Sequence, residues 1–241
     1  MSKRMTKTSN SRRTMRGTQH RFEHWHVDNQ VYFITVRCQE RFPAFADEPA
    51  KAIFWDRFEH YTQAHGFTPW VTSLLDNHYH TIGYLKVGSE LPTMMQRIHG
   101  SVAKLVNDHL RANNVYAPWL PAERASARGS VFAPGSKPNP QPPSNPNNNP
   151  RAKERSAGLK FWGDKRGHEY FDGCLRDVKQ GRLTYRYIQT QSKRHGVCDD
   201  YQNYPHTKIN IEVNRAIKRA AQLDAFLTGV PYARYQKPKQ D

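Results

Sequence analysis

A stretch rich in proline and asparagine limits, more than any other feature, what this chain can fold into. Between Val131 and Pro150, seven prolines are interspersed with Asn, Ser and Gly. Residues of these types bury too little apolar surface to offset the conformational entropy that is lost on ordering. We therefore predict an insertion over about residues 115–157, so that a compact core has to be built from the segments on either side of it.

The spacing of apolar residues before the insertion predicts three strands and two helices. The predicted strands are Val31–Arg37, Phe67–Leu75 and His80–Leu85, and the predicted helices are Pro49–His65 and Leu91–Arg111. Turn-forming residues between the second and third strands favour a hairpin, and His78 lies at or just inside the start of the third strand.

Three further elements are predicted after the insertion. Aromatic residues predict a strand within Leu159–Phe171. Apolar spacing predicts helices at Leu175–Arg194, capped by Gly196, and at Ile211–Leu227. The resulting order of elements is typical of a ferredoxin-like split βαβ. We therefore expect an α+β fold with an antiparallel sheet and helices packed mainly on one face.

The charge and hydropathy of the chain narrow the possible classes of function. A formal net charge of +16 and a pI near 9.9 favour nucleic acid as the partner, because a basic protein releases counterions from a polyanion. No apolar run approaches the roughly 18 residues of a membrane span, so we expect no membrane partner and a cytoplasmic protein, nucleoid-associated in a bacterium. Cys38, Cys174 and Cys198 are widely spaced and expected to be reduced.

The first 21 residues are basic, with seven Lys and Arg and no acidic residue. Such a run is typical of a disordered arm that contacts phosphates, although a solubilising tail has the same composition. The candidate DNA contacts in this arm are Lys3, Arg4, Arg12, Arg13 and Arg16.

Two histidines of the third strand are candidates for a metal site. Side chains at positions i and i+2 of a strand point to the same face, so His78 and His80 can direct two imidazoles at one cation while Tyr79 points away. A third protein ligand has to come from elsewhere in the chain. His24 and His26 have the same spacing, and spacing alone does not rank the two pairs.

A predicted helix carries the candidate nucleophile. Tyr187 and Gln191 are one helical turn apart, so they can present a hydroxyl and an amide on one helix face. Tyr185 and Gln189 repeat this spacing on another face. Spacing alone therefore does not choose between the two tyrosines. A tyrosine on an amphipathic helix usually packs in the core.

Four segments carry a resemblance to a known family. They are HVDNQVYFITVRCQER (residues 26–41), LLDNHYH (74–80), FWGDKRGHEYF (161–171) and RYIQTQSKRHGV (186–197). In this order they resemble the HUH single-tyrosine transposases, and especially the REP-associated tyrosine transposases. The resemblance covers roughly residues 26–112 and 158–205. The chain departs from the family at Gln191-Ser192, where Asn-Pro is common, and in its long insertion.

The resemblance implies a function and a set of site residues. It implies that Tyr187 is the nucleophile and that His78, His80 and Gln191 bind a divalent metal, Mg²⁺ or Mn²⁺. The implied reaction is metal-dependent cleavage and transfer of a DNA strand through a 5′-phosphotyrosine intermediate, on single-stranded or hairpin DNA. The implied catalytic domain spans residues 22–208, followed by a C-terminal helix and tail at 209–241, in a monomer or a homodimer.

Other functions remain compatible with the sequence. A split βαβ sheet with aromatic residues and positive charge is also typical of RNA-recognition domains, which bind RNA without catalysis. A replication-initiation nuclease would use the same histidine and tyrosine chemistry to nick an origin. A decayed or domesticated transposase would keep the fold without the activity.

Overall fold

The protein is represented by a computed structural model that describes residues 26–120, 160–163 and 169–227. The basic arm and most of the predicted insertion lie outside the described residues. Ala117, Trp119 and Leu120, which fall at the start of the predicted insertion, are buried in the core. The Trp119 indole nitrogen also donates a hydrogen bond to Asn107 Oδ1 at 2.8 Å, which attaches this segment to the helix before it.

Five strands form one antiparallel sheet in the order β4-β1-β3-β2-β5. The strands are β1 Gln30–Arg37, β2 Phe67–Leu75, β3 His78–Leu85, β4 Tyr170–Cys174 and β5 Thr207–Ile209. β3 lies between β1 and β2 and is antiparallel to both, which is the split βαβ arrangement. The predicted α+β class with an antiparallel sheet is therefore confirmed.

Helices cover both faces of the sheet, so the prediction that they pack mainly on one face is wrong. They are α1 Glu48–Ala64, α2 Glu90–Ala112, α3 Val178–Gln189, α4 Gln191–Arg194 and α5 Val213–Gln222. The two longest helices, α1 and α2, share one face, over a core that includes Ile34, Leu74 and Tyr79. The shorter helices α3 and α5 pack on the opposite face, over a smaller core that includes Val31 and Ile82. We call this second surface the α3/α5 face.

A close approach of α3 and α5 attaches the C-terminal helix to the sheet. A Cβ at Gly181 of α3 would lie 2.7 Å from Ile217 Cδ1 of α5, so a larger residue would force the Ile217 side chain to shift. Ile217 is buried in the smaller core. The C-terminal helix that was predicted within 209–241 therefore packs on the sheet.

The helix predicted at Leu175–Arg194 is divided into α3 and α4. The break is at Thr190, whose hydroxyl donates to the Arg186 carbonyl oxygen at 2.9 Å, beside the backbone bond from its own amide at 3.1 Å. Gly196 follows α4 with a φ of 67°, the left-handed conformation that is typical of a C-terminal helix cap. The predicted cap at Gly196 is confirmed.

The strand predicted within Leu159–Phe171 is wrong in its position, because β4 begins only at Tyr170. The aromatic residues that suggested it, Phe161 and Trp162, are buried in the larger core. Trp162 forms only an isolated bridge with Cys38. Aromatic residues in this segment therefore reflect core packing rather than a regular strand.

The end of the fold also differs from the prediction. β5 was not predicted, and the last helix is shorter than Ile211–Leu227 because the residues after it turn back onto the sheet. The Val31 amide donates to the Ala225 carbonyl at 3.0 Å, and the Leu227 amide donates to the Leu175 carbonyl at 2.8 Å. These two bonds attach the residues after the last helix to β1 and to Leu175.

Two predictions about the whole chain can be compared with the described residues. None of the helices in the described ranges is long and apolar enough to cross a membrane. Cys38, Cys174 and Cys198 all lie in the described ranges, where they form no disulfide.

Candidate active site

The two histidines of β3 lie on the α3/α5 face of the sheet. The side chains of His78 and His80 are nearly buried, and their ring centroids are 5.1 Å apart. Tyr79, between them, points to the opposite face, where it is fully buried with its hydroxyl 3.3 Å from His99 Nε2. The alternation of the strand therefore brings both imidazoles to one surface, as predicted.

An oxygen atom behind each imidazole orients the ring. His78 Nδ1 lies 2.6 Å from Asn77 Oδ1, and Asn77 Nδ2 donates to the Arg41 carbonyl at 3.0 Å, which fixes the orientation of the amide. His78 therefore donates from Nδ1, and its Nε2 keeps a free lone pair. His80 Nδ1 lies 2.8 Å from Thr35 Oγ1, which can accept the same kind of bond. An oxygen acceptor behind the ring is typical of histidines that bind a metal.

The electrostatic environment keeps both imidazoles neutral. Burial lowers the pKa of His78 to about 4, with positive charge from His195, Arg37 and Arg41 acting in the same direction. Burial, with His78 and His195 as the next causes, lowers the pKa of His80 well below its ordinary value. Since a metal binds the neutral form of imidazole, both rings are in the state that coordination requires at pH 7.

The two candidate tyrosines occupy different environments. Tyr187 is 37% exposed, and its ring centroid lies 5.4 Å from that of His80. Tyr185 is buried in the smaller core, where its hydroxyl donates to the Ile211 carbonyl at 3.0 Å. Burial, with the nearby Glu212 carboxylate, raises the pKa of Tyr185 to about 12. The fold thus brings Tyr187 beside the histidine pair and gives Tyr185 a packing position.

Gln191 is the first residue of α4 and is almost fully buried. Its Nε2 donates to the Tyr187 carbonyl oxygen at 2.8 Å, one helical turn before it. This bond uses the amide nitrogen, which cannot bind a metal, and leaves Oε1 as the atom that can. The hydrogen bond therefore links the orientation of the Gln191 amide to the backbone that carries Tyr187.

Three side chains near the histidines and Tyr187 were not predicted. The His195 ring centroid lies 4.7 Å from that of His78, and the Arg194 guanidinium lies 5.0 Å from the Tyr187 ring centroid. Arg37 is exposed at the end of β1 and pairs with His78 in the strand register. The basic run after the tyrosine helix is a signal that would have identified His195 and Arg194. The position of Arg37 follows only from the strand pairing.

The predicted third metal ligand is the side-chain amide of Gln191. Across the ranges that the structure describes, no group of three or more His, Cys, Asp or Glu side chains could hold a metal ion. The predicted set contains two imidazoles and Gln191, a residue type outside that group. In the alternative pair of His24 and His26, His24 lies outside the described residues.

Most of the positive charge of the chain lies outside the described residues. The described residues contain 19 Lys and Arg and 16 Asp and Glu, which gives a formal net charge of +3 out of +16. The candidate DNA contacts Lys3, Arg4, Arg12, Arg13 and Arg16 are all outside the described ranges. Their role in binding phosphates remains a prediction.

Comparison with known proteins identifies a similar fold. No family model matches the chain, and no curated protein matches it. Among solved structures, the chain is similar to a REP-associated tyrosine transposase bound to a REP hairpin, with a TM-score of 0.50 and 13% sequence identity. The similarity covers 82% of this chain and 87% of that chain. At this identity the likeness shows a shared fold.

Proposed function

We propose that this protein is a metal-dependent enzyme that cleaves and rejoins single-stranded DNA, with Tyr187 as its nucleophile. One observation carries the proposal: two neutral imidazoles, each with an oxygen behind Nδ1, share a face with a partly exposed tyrosine whose ring is 5.4 Å from His80. The fold shared with a REP-associated tyrosine transposase bound to a hairpin supports this class of activity. We further propose that the substrate is single-stranded or hairpin DNA and that the reaction is transposition.

The residues at this site suit a divalent metal ion. His78 and His80 would hold it through Nε2 and Gln191 through Oε1, which leaves coordination positions for oxygen atoms of the substrate. Imidazole ligands favour Mn²⁺, whereas an oxygen ligand also suits Mg²⁺. When bound, the ion would act as a Lewis acid towards the scissile phosphate.

Tyr187 would perform the covalent step. Its hydroxyl oxygen attacks the phosphorus, its proton passes to solvent, and the bond between phosphorus and the 3′ oxygen breaks. The departing oxygen takes up a proton and becomes a 3′ hydroxyl, while the 5′ phosphate stays bonded to Tyr187. Because the new ester replaces a phosphodiester of similar energy, a second 3′ hydroxyl can reverse the step and join a new strand.

Basic side chains near Tyr187 would bind and orient the phosphate. The Arg194 guanidinium lies over the Tyr187 ring, and Arg37 lies at the end of β1 beside His78. Positive charges held in place before the reaction stabilise the negative charge that develops on the phosphate oxygens.

The experiment that tests the proposal is incubation of labelled single-stranded and hairpin DNA with the protein and Mn²⁺, followed by a denaturing gel. We expect a covalent protein–DNA adduct that requires the metal, disappears with a chelator and maps to Tyr187 by mass spectrometry. An adduct without joining to a second strand would favour a nicking nuclease of the replication-initiation type. Binding of RNA or DNA with no adduct in Mn²⁺ or Mg²⁺ would favour a non-catalytic binding module.

A further inference from the structure

Two phenylalanine rings extend the α3/α5 face beyond the histidines. The Phe33 ring on β1 lies 6.2 Å from the Tyr187 ring and 6.0 Å from the His80 ring, between centroids, and is nearly parallel to the imidazole. The Phe171 ring on β4 lies 6.2 Å from the Phe33 ring, and Phe171 is 40% exposed. We call Phe33 and Phe171 the phenylalanine platform.

The sheet places this platform beside the helices rather than beneath them. α3 packs over β2 and β3, whereas the platform lies on the half of the face that β1 and β4 form. Gly173 of β4 pairs with Phe33 in the strand register, and the Phe171 ring lies 3.6 Å from the point where a Gly173 Cβ would be. Because glycine has no side chain, Gly173 adds no atoms beyond the backbone beside the two rings.

Exposure alone would be weak evidence, since single exposed apolar residues are common on protein surfaces. Here the exposed ring belongs to an aromatic row that includes Phe171, Phe33 and Tyr187. A ligand that contacts Phe171 and reaches Tyr187 therefore needs an aromatic or apolar part next to the group that Tyr187 attacks.

An unpaired nucleobase next to a phosphate has this chemistry. Bases stack on exposed aromatic rings in proteins that bind single strands, largely without regard to sequence. On β1, Arg37 is four residues from Phe33 on the same face, about 13 Å along the strand, so positive charge lies on the other side of His80 from the platform. Bases in a duplex are stacked on their neighbours and cannot use the platform.

We propose that Phe33 and Phe171 stack an unpaired base of the nucleotide adjacent to the phosphate that Tyr187 attacks, and that this contact restricts the enzyme to single-stranded or looped DNA. The inference rests on the proposed function, because Tyr187 defines which phosphate is meant.

The test combines removal of a base with removal of a ring. Short single-stranded DNAs with one abasic site at successive positions are bound to the protein without metal, and the affinity is measured by fluorescence anisotropy. For the wild type we expect a loss of roughly tenfold, or about 1.4 kcal/mol, at one position next to the cleavage point. Phe171→Leu should lose roughly tenfold on intact DNA and no more at that position, and Phe171→Trp should restore the wild-type pattern.

Two controls separate stacking from damage to the fold. Tyr116, an aromatic residue after α2, is 65% exposed, so Tyr116→Leu removes a ring that is more accessible than Phe171 and lies away from the platform. This variant should bind as the wild type does. Thermal denaturation of each variant checks that it is folded.

The outcomes distinguish this inference from the proposed function. An identical abasic profile for the wild type and Phe171→Leu, or coupling at a position away from the cleavage point, overturns the platform. A covalent adduct without coupling at Phe171 therefore contradicts the platform alone, whereas the absence of any adduct contradicts the proposed function.

Discussion

Replacing each of two neighbouring tyrosines by phenylalanine is expected to give opposite results. Tyr185→Phe removes a hydroxyl that donates to the Ile211 carbonyl at 3.0 Å, from a side chain that is 4% exposed. Tyr187→Phe removes a hydroxyl from a much more exposed side chain, and none of the described residues forms a hydrogen bond with that hydroxyl. We therefore expect the first change to affect packing and the second to affect the proposed chemistry.

The magnitudes follow from these environments. Loss of a hydrogen bond by a buried side chain costs about 1 kcal/mol, and in a domain of this size that lowers Tm by roughly 2–4 °C. Tyr187→Phe should change the free energy of unfolding by less than about 0.5 kcal/mol, as is usual for exposed positions. Its covalent adduct should nevertheless disappear, because phenylalanine has no oxygen to form the ester with phosphorus. Tyr185→Phe should keep the adduct.

The assay pairs thermal denaturation with a denaturing gel on the same preparations, and anisotropy confirms that both variants still bind hairpin DNA. An adduct that persists in Tyr187→Phe and disappears in Tyr185→Phe would place the nucleophile on the other face of α3. A drop in Tm for Tyr187→Phe as large as that for Tyr185→Phe would show that Tyr187 is also a packing residue.

Three further predictions concern the metal, the arm and pH. His78→Ala and His80→Ala should each abolish metal-dependent cleavage in the gel assay but keep most of the affinity for DNA. His60 is exposed, and the control variant His60→Ala should cleave normally. Full cleavage by either β3 variant would remove that residue from the mechanism. Deletion of Met1–Ser11 should reduce the slope of log K against log salt by about 0.7 for each phosphate that the shortened protein no longer neutralises, and an unchanged slope would identify a solubilising tail. Burial lowers the pKa of His78 and of His99 to about 4 from the ordinary 6.5, so the unfolded chain binds more protons between these values. The stabilising contribution of each neutral histidine should therefore be fully present above pH 6.5. The free energy of unfolding should fall by on the order of 3 kcal/mol per histidine as pH drops to 4. Denaturant titrations across this range would measure the loss, and a flat profile would contradict it.

The elements that the sequence predicted well have clear local boundaries. β2 agrees with its predicted range, Phe67–Leu75, because Gly66 ends the preceding helix and two turn-forming residues follow the strand. β4 contains Asp172 and Gly173, which have low strand propensity, and it forms through pairing with β1 across the insertion. β5 has three residues and depends on the edge of β2. Strands of this kind are set by tertiary pairing, which local patterns do not contain.

The same distinction applies to the candidate site. Alternation along a strand was enough to predict that His78 and His80 share a face, since that relation is local. The choice between Tyr185 and Tyr187 was not local, because the two faces of α3 differ only once Tyr185 packs into the smaller core. Thr35 reaches His80 through the pairing of β1 with β3, a register that no single segment specifies.

The distribution of charge predicts that affinity for DNA and cleavage depend on different parts of the chain. Each phosphate contact that releases counterions contributes to binding, and the 19 Lys and Arg of the described residues are nearly balanced by 16 Asp and Glu. Arg37 and Arg194 lie near the histidines and Tyr187, where we propose that they act on one phosphate. The remaining net charge of +13 lies outside the described residues. Most salt-dependent affinity should therefore come from those other segments. Changes at the histidines should consequently affect cleavage far more than binding, and shortening the basic arm should weaken binding to all sequences while leaving cleavage of bound DNA intact.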